Sequence, residues 1–138
     1  MSIALASLLG FVAWTLLLVF TLIGWRSVEA LLGRRRLDEF PAGVPHGTDR
    51  YWRLNRAHLN CVENLPLFAT VVLVAHQMGA DVGTLAAVCL AARVGQSVTH
   101  VASGAPAAVL VRATFYTVQV GTLAAMIAVL VAVARMVR

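Results

Sequence analysis

Charged residues are scarce in this chain of 138 residues, where they make up 12% against 60% hydrophobic residues. Soluble domains contain about 25% charged residues, so the composition excludes an ordinary water-soluble domain. Lysine is absent, and all eleven basic side chains are arginines. Six of them lie in or beside one connection: Arg34, Arg35, Arg36, Arg50, Arg53 and Arg56. This clustering is typical of a cytoplasmic loop between membrane spans and argues against a nucleic-acid partner.

Cysteine is rare as well. Cys61 and Cys89 fall inside predicted helices rather than in loops, which argues against a disulfide framework. Neither these thiols nor His58 and His76 show the spacing of metal ligands. We therefore expect no metal site, and both cysteines are interpreted as small buried residues.

Four long apolar stretches dominate the rest of the chain, and each is long enough for a membrane span, which takes about 20 residues. The first has no charge before Arg26 and is too long for the core of a signal peptide. Prolines and glycines in residues 38–49 interrupt helix formation, and Thr48 or Asp49 is suited to cap the next helix. The sequence predicts an all-α, integral membrane four-helix bundle, a single domain of residues 1–138 with spans at about 3–32, 50–79, 82–102 and 107–136.

The arginines also predict the orientation of this bundle. The connection of residues 33–50 is the most basic, so the positive-inside rule places it in the cytoplasm and both termini on the opposite side. Arg135 and Arg138 weakly oppose this arrangement. We expect a multi-pass protein of the inner (cytoplasmic) membrane.

Polar residues recur at helical spacing in three of the spans. Residues three or four apart share one face of a helix. The three polar faces consist of Arg53, Arg56, Asn60 and Glu63, then Arg93, Gln96 and His100, and finally Arg112, Tyr116 and Gln119. A charge at mid-membrane costs at least ~2.5 kcal/mol unless it is paired. We therefore expect the faces to converge on one pocket, where Glu63 neutralises Arg93 and the surplus arginines bind an anion with carboxylates or a thiolate.

Two other interpretations of the polar faces stay open. A network of interhelical hydrogen bonds, worth about 0.6 kcal/mol per contact, would make this a non-catalytic structural membrane protein. A small four-helix transporter would need an unpaired acid deep in the membrane, whereas Glu63 has Arg93 available and Glu29 lies at a helix end. The excess of arginines over acids favours the anion-binding interpretation.

The segment RLNRAHLNCVENLPLF, from Arg53 to Phe68, resembles the second-helix signature of the MAPEG family, the membrane-associated proteins in eicosanoid and glutathione metabolism. The arginine within the third span and the segment RATFYT, from Arg112 to Thr117, extend the resemblance. The four-helix layout agrees with it too. The chain is similar to bacterial members of the microsomal glutathione transferase type.

This resemblance implies a homotrimer that binds glutathione as a co-substrate between adjacent protomers. It implies that Arg56, Asn60 and Glu63 hold the peptide, with Arg53 nearby. The other implied site residues lie outside that helix: Arg93 as the partner of Glu63, Arg112 against the sulfur as the catalytic residue, Tyr116, Gln96 and His100 in the pocket, and Arg26 at the position of the family's helix-one arginine.

The implied function is a glutathione-dependent transferase or peroxidase that acts on lipophilic electrophiles through an arginine-stabilised thiolate. Conjugation, peroxide reduction and isomerisation all use this activated thiol, so the reaction stays open. Ala113 stands where the prostaglandin E synthase branch has serine, which argues against prostaglandin synthesis. Leu59 and Cys61 replace polar residues of some members, and a thiol other than glutathione therefore remains an alternative.

Overall fold

The computed structural model describes residues 1–41 and 43–136. Its elements are four α-helices and one short 3-10 turn at Leu37–Glu39. The helices are α1 (Ile3–Leu31), α2 (Asp49–Gln77), α3 (Gly83–Ala102) and α4 (Pro106–Met136). Each is long and apolar enough to cross a membrane, which confirms the predicted all-α membrane bundle.

Short polar side chains and a glycine fix where the helices begin and end. The hydroxyl oxygens of Ser2 and Thr48 accept hydrogen bonds from the backbone N–H groups of Leu5 (3.3 Å) and Tyr51 (3.2 Å). These caps satisfy donors that the first helical turn leaves without partners. Gly79 follows α2 with φ 65°, a conformation that costs little without a Cβ. The turn into α3 is therefore short, and short turns make successive helices antiparallel neighbours.

Buried side chains of all four helices form the apolar core, to which α4 contributes Met126. Phe11 of α1 and Phe68 of α2 are fully buried, with ring centroids 5.4 Å apart. Around this core the helices expose large apolar side chains, such as Leu17 and Leu110. Contiguous apolar surface of this kind is rare on soluble monomers, and here it is the surface that contacts membrane lipid.

α4 packs most extensively against α3, and Gly95 permits the close approach of the two helices. A Cβ added to Gly95 would lie 2.6 Å from Cζ of Phe115, closer than two carbon atoms approach without overlap. The Phe115 ring thus occupies the space of the missing side chain. Small residues at such contacts let membrane helices approach closely, and here they bring the polar faces of α3 and α4 together.

The basic connection folds back onto the ends of α1 and α2 through a cluster of aromatic rings. The Tyr51 ring lies 5.9 Å from the rings of both Trp25 and Phe40, and 5.2 Å from that of His46. Arg26 donates from Nε to the Tyr51 hydroxyl at 2.6 Å, and its guanidinium lies 5.4 Å from the Phe40 centroid. Cation–π contacts contribute roughly 0.5–2 kcal/mol, so Arg26 attaches the connection to the bundle.

Gly95→Ala is expected to destabilise the protein more than Gly10→Ala does. At Gly95 the new methyl group meets the Phe115 ring, whereas at Gly10 it meets Cδ2 of Leu90 at 2.8 Å, the end of a side chain that rotates away. Both changes raise helix propensity equally. The difference in unfolding free energy, expected at about 1–3 kcal/mol, is measured by thermal unfolding in one detergent. Equal stability of the two variants would contradict the close approach of α3 and α4.

Candidate functional site

A polar groove opens where α2, α3 and α4 meet. Its volume is about 280 Å³. Five of its lining residues are site residues predicted from the sequence: Asn60, Gln96, His100, Arg112 and Tyr116. The structure therefore brings together side chains from three helices, and their binding of a ligand stays a prediction.

The antiparallel register of α3 and α4 explains this convergence. Arg93, Gln96 and His100 are spaced by three and four residues along α3, and Gln119, Tyr116 and Arg112 show the same spacing when α4 is followed backwards. In antiparallel helices, each residue of one set therefore lies at the same height as the corresponding residue of the other set. The outermost levels are joined by hydrogen bonds from Arg93 to Gln119 and from Arg112 to His100.

Arg112 and His100, which both line the groove, contact each other. Arg112 Nη1 lies 2.5 Å from His100 Nδ1. Because a guanidinium has donors and no acceptor, Nδ1 must accept this hydrogen bond, and the imidazole is neutral with its proton on Nε2. Arg112 forms no ion pair with an acidic residue in the described part of the chain. His100 therefore orients the guanidinium and leaves its positive charge unbalanced.

The polar face of α2 is divided between the groove and the outside of the chain. Arg53 and Asn60 are partly buried, whereas Arg56 and Glu63 are exposed. Arg53 Nε donates to the backbone oxygen of Val101 at 3.3 Å. This contact satisfies a carbonyl in the last turn of α3 and places a cation at the negative end of that helix. Arg53 is thus tied to the backbone beside the groove, and Arg56 and Glu63 lie at the outer surface.

Arg93 lies beneath the groove and is 1% exposed. Its Nη2 donates to the side-chain oxygen of Gln119, and its guanidinium carbon lies 5.8 Å from the Phe11 ring centroid. No ion pair joins Arg93 and Glu63 among the residues that the structure describes, so the predicted pairing is not made within this chain. A side-chain amide and an aromatic ring take the place of the expected acid.

Rotation around α2 explains why Glu63 does not reach Arg93. Cys61 is the α2 residue that faces α3, with its sulfur 3.5 Å from Ser97 Oγ. Glu63 follows two residues later, about 200° further round the helix, and its side chain is exposed. Its carboxylate therefore lies beyond ion-pair distance of Arg93.

The layer around Arg93 contains buried polar atoms without partners. Gln119 is fully buried and Gln96 is 9% exposed. Within residues 1–41 and 43–136, Gln96 Oε1, Gln119 Nε2 and Arg93 Nε have no hydrogen-bond partner. Such buried atoms cost about 1–3 kcal/mol each when they stay unsatisfied. Gln96 also lines the groove, so this unsatisfied layer borders the groove.

Arg26, the remaining predicted site residue, is not brought into the groove of its own chain. It is held by Tyr51 and Phe40 in the aromatic cluster near the C-terminal end of α1. Its predicted contact with a ligand therefore stays a prediction.

A comparison with protein families decides the classification. The family model described as MAPEG family matches residues 4–132, nearly the whole chain and all the groove residues. The chain belongs to the MAPEG family. The resemblance seen in the segment from Arg53 to Phe68 is thereby confirmed, and membership indicates a membrane activity of the glutathione-related transferase or peroxidase type. No curated protein gives a significant match to the chain.

Three contacts of this MAPEG protein were not predicted from the sequence: Arg112 with His100, Arg93 with Gln119, and Arg53 with the Val101 carbonyl. The matched spacing of the polar residues in α3 and α4 was a usable signal for the first two. No comparable signal exists for a bond to a backbone carbonyl, because every residue has one.

Gln119→Leu is expected to lower the free energy of unfolding by about 1–3 kcal/mol, because it removes the acceptor of the buried Arg93 guanidinium. Gln119→Glu is the matched control, since a carboxylate restores an acceptor at the same place and should retain at least the parent stability. Thermal unfolding of both variants in the same detergent measures the effect. A leucine variant as stable as the parent would show that Arg93 does not depend on Gln119.

Proposed function

We propose that this MAPEG protein is a glutathione-dependent transferase or peroxidase that acts on lipophilic electrophiles within the membrane. The observation that supports the proposal most directly is the state of Arg112: partly buried in the groove, oriented by His100 and free of any ion pair in the described chain. Such a guanidinium favours an anionic ligand. A thiolate beside it is the anion with the relevant chemistry.

The proposed mechanism is stabilisation of the thiolate by Arg112. A free thiol has a pKa of about 8.5, so a few per cent of it is the nucleophilic thiolate at pH 7. A guanidinium in contact with the sulfur stabilises the anion, and its hydrogen bond to His100 sets its orientation before the thiolate forms. Tyr116 lies one helical turn from Arg112 and lines the same groove, where its hydroxyl would donate a second hydrogen bond to the sulfur.

Polar residues in and around the groove suit the rest of glutathione. Its two carboxylates are partners for the guanidinium groups of Arg53 and Arg56, and its peptide amides are partners for Asn60 and Gln96. Conjugation and peroxide reduction both begin when the thiolate attacks, either at an electrophilic carbon or at a peroxide oxygen. The apolar outer surfaces of the helices are the route by which a lipophilic electrophile would arrive from the bilayer.

The single chain also supports the proposal of a homotrimer. Glu63 is exposed near the middle of the membrane-spanning α2, where an uncovered acid is costly. The groove of about 280 Å³ lies at the chain's surface. A neighbouring protomer packed against this face would cover Glu63, close the groove and bring its own Arg26 toward the ligand. We further propose that the protein lies in the inner membrane with residues 33–50 in the cytoplasm, on the basis of the arginine distribution.

Arg112→Ala is expected to abolish the thiolate absorbance that saturating glutathione produces with the parent protein at pH 7. The thiolate fraction should fall to the few per cent of free glutathione, and turnover of a lipophilic electrophile should fall about tenfold or more. Ultraviolet difference spectra and a mass measurement in detergent test this prediction, and both proteins should be trimers. Arg35→Ala removes the same charge from the basic connection and is the matched control, with an unchanged signal.

The pH dependence separates a chemical role of Arg112 from a structural one. Raising the pH through about 8.5 ionises the thiol without help, so the activity of Arg112→Ala should rise toward that of the parent. A variant that has merely lost its packing would not recover. Absence of glutathione binding in calorimetry, a dimer by mass, or a persistent thiolate signal in Arg112→Ala would each contradict the proposed function.

A further inference from the structure

A second groove lies between α1, α2 and α3 and shares no lining residue with the first. Its volume is about 360 Å³. On α3 it is lined by Ser97 and Val98, whereas the site groove is lined by Gln96 and His100. At about 100° per residue, these pairs lie on different sides of the helix. The second groove is therefore separate from the proposed site.

The lining of this groove suits an extended hydrocarbon chain. Leu18 and Leu54 are buried lining residues, and Leu17 and Val98 are apolar lining residues that are about half exposed. Along α1 the groove reaches from Trp14 to Thr21, seven residues or about 10 Å. An apolar lining of this length on a membrane-spanning bundle suits a segment of an acyl chain.

A positive charge lines the same groove where α2 begins. Arg50 lies in the first turn of α2 and is exposed, at the basic end of the bundle. Arg34 and Arg36, on the same connection, form ion pairs with Glu29 and Asp38. Arg50 has no such pair among the described residues. Its guanidinium therefore has the geometry and the uncompensated charge that bind a phosphate group.

We propose that this groove binds one acyl chain of an anionic phospholipid, with the lipid phosphate held by Arg50. The apolar lining residues contact the acyl chain, and the charge of Arg50 at the start of α2 selects for an anionic headgroup. The proposal depends on the chain spanning a membrane and not on the glutathione chemistry of the other groove. Failure of either proposal would leave the other unaffected, because contact with lipid tests this proposal and the absorbance of bound thiolate tests the other.

Trp14 lines the groove and serves as a natural reporter. In a variant that retains it as the single tryptophan, made by Trp25→Phe and Trp52→Phe, its fluorescence is measured in phosphatidylcholine vesicles. A fixed fraction of the lipid is replaced by phosphatidylglycerol brominated on its acyl chains, or by equally brominated phosphatidylcholine. We expect an apparent preference of about fivefold for the anionic lipid, the effect of one arginine on a charged headgroup.

Two matched variants separate the groove from general surface attraction. Arg50→Gln should reduce the preference to about one, while Arg35→Gln removes the same charge from the same connection and should leave the preference unchanged. Within the groove, Ala102→Leu should reduce quenching of Trp14 by both lipids, whereas Ala124→Leu, an exposed α4 residue outside it, should not.

Three outcomes would overturn the proposal. Equal quenching by both brominated lipids would remove the headgroup preference, and an equal loss in Arg50→Gln and Arg35→Gln would assign it to the basic connection as a whole. Absence of quenching by either lipid would show that something other than lipid, such as a second copy of the chain, covers the groove.

If the single-tryptophan variant fails to fold, the thermal stability of the unmodified chain tests the proposal. Its unfolding temperature in mixed micelles should rise more with added phosphatidylglycerol than with added phosphatidylcholine. That difference should disappear in Arg50→Gln and persist in Arg35→Gln, and a difference that is absent from the parent protein contradicts the proposal.

Discussion

A guanidinium enclosed in a membrane-spanning bundle is the constraint on which the rest of this structure depends. Arg93 is 1% exposed, and its partners are the amide oxygen of Gln119 and the ring of Phe11. A charge at that depth is costly without such partners, so α1, α3 and α4 must hold one relative position. Gly95, two residues along α3, lets Phe115 pack closely enough to maintain it.

The same register that serves Arg93 also builds the site groove. Gln119 and Arg112 are seven residues apart on α4, as are Arg93 and His100 on α3. In antiparallel helices, one pairing therefore implies the other. At the buried level, Arg93 is enclosed with the neutral side chain of Gln119. In the groove, Arg112 is only partly buried, and its charge is open to a ligand. Stability and the proposed chemistry thus share one helix contact and differ in how far each pair lies from the surface.

The faces of α3 give the protein two different environments. One side faces α4 and the polar groove, and the other faces an apolar groove with Arg50 where α2 begins. Arg53 fixes α2 against the last turn of α3 through the Val101 carbonyl, between these two environments. The basic end of the bundle therefore combines a proposed thiol site on one side of α3 with a proposed lipid contact on the other.

The sequence by itself determined the four membrane helices, a cap at Thr48 or Asp49 and the family, because apolar length, capping chemistry and the motif around Arg56 are local properties of the chain. It also placed Arg112, Tyr116 and the α3 residues on shared faces. The tertiary structure decided which partners meet: Arg93 with Gln119 rather than Glu63, and Arg112 with His100. Helical periodicity shows which residues share one face of a helix. The rotation of that helix against its neighbours depends on packing contacts such as the one between Gly95 and Phe115.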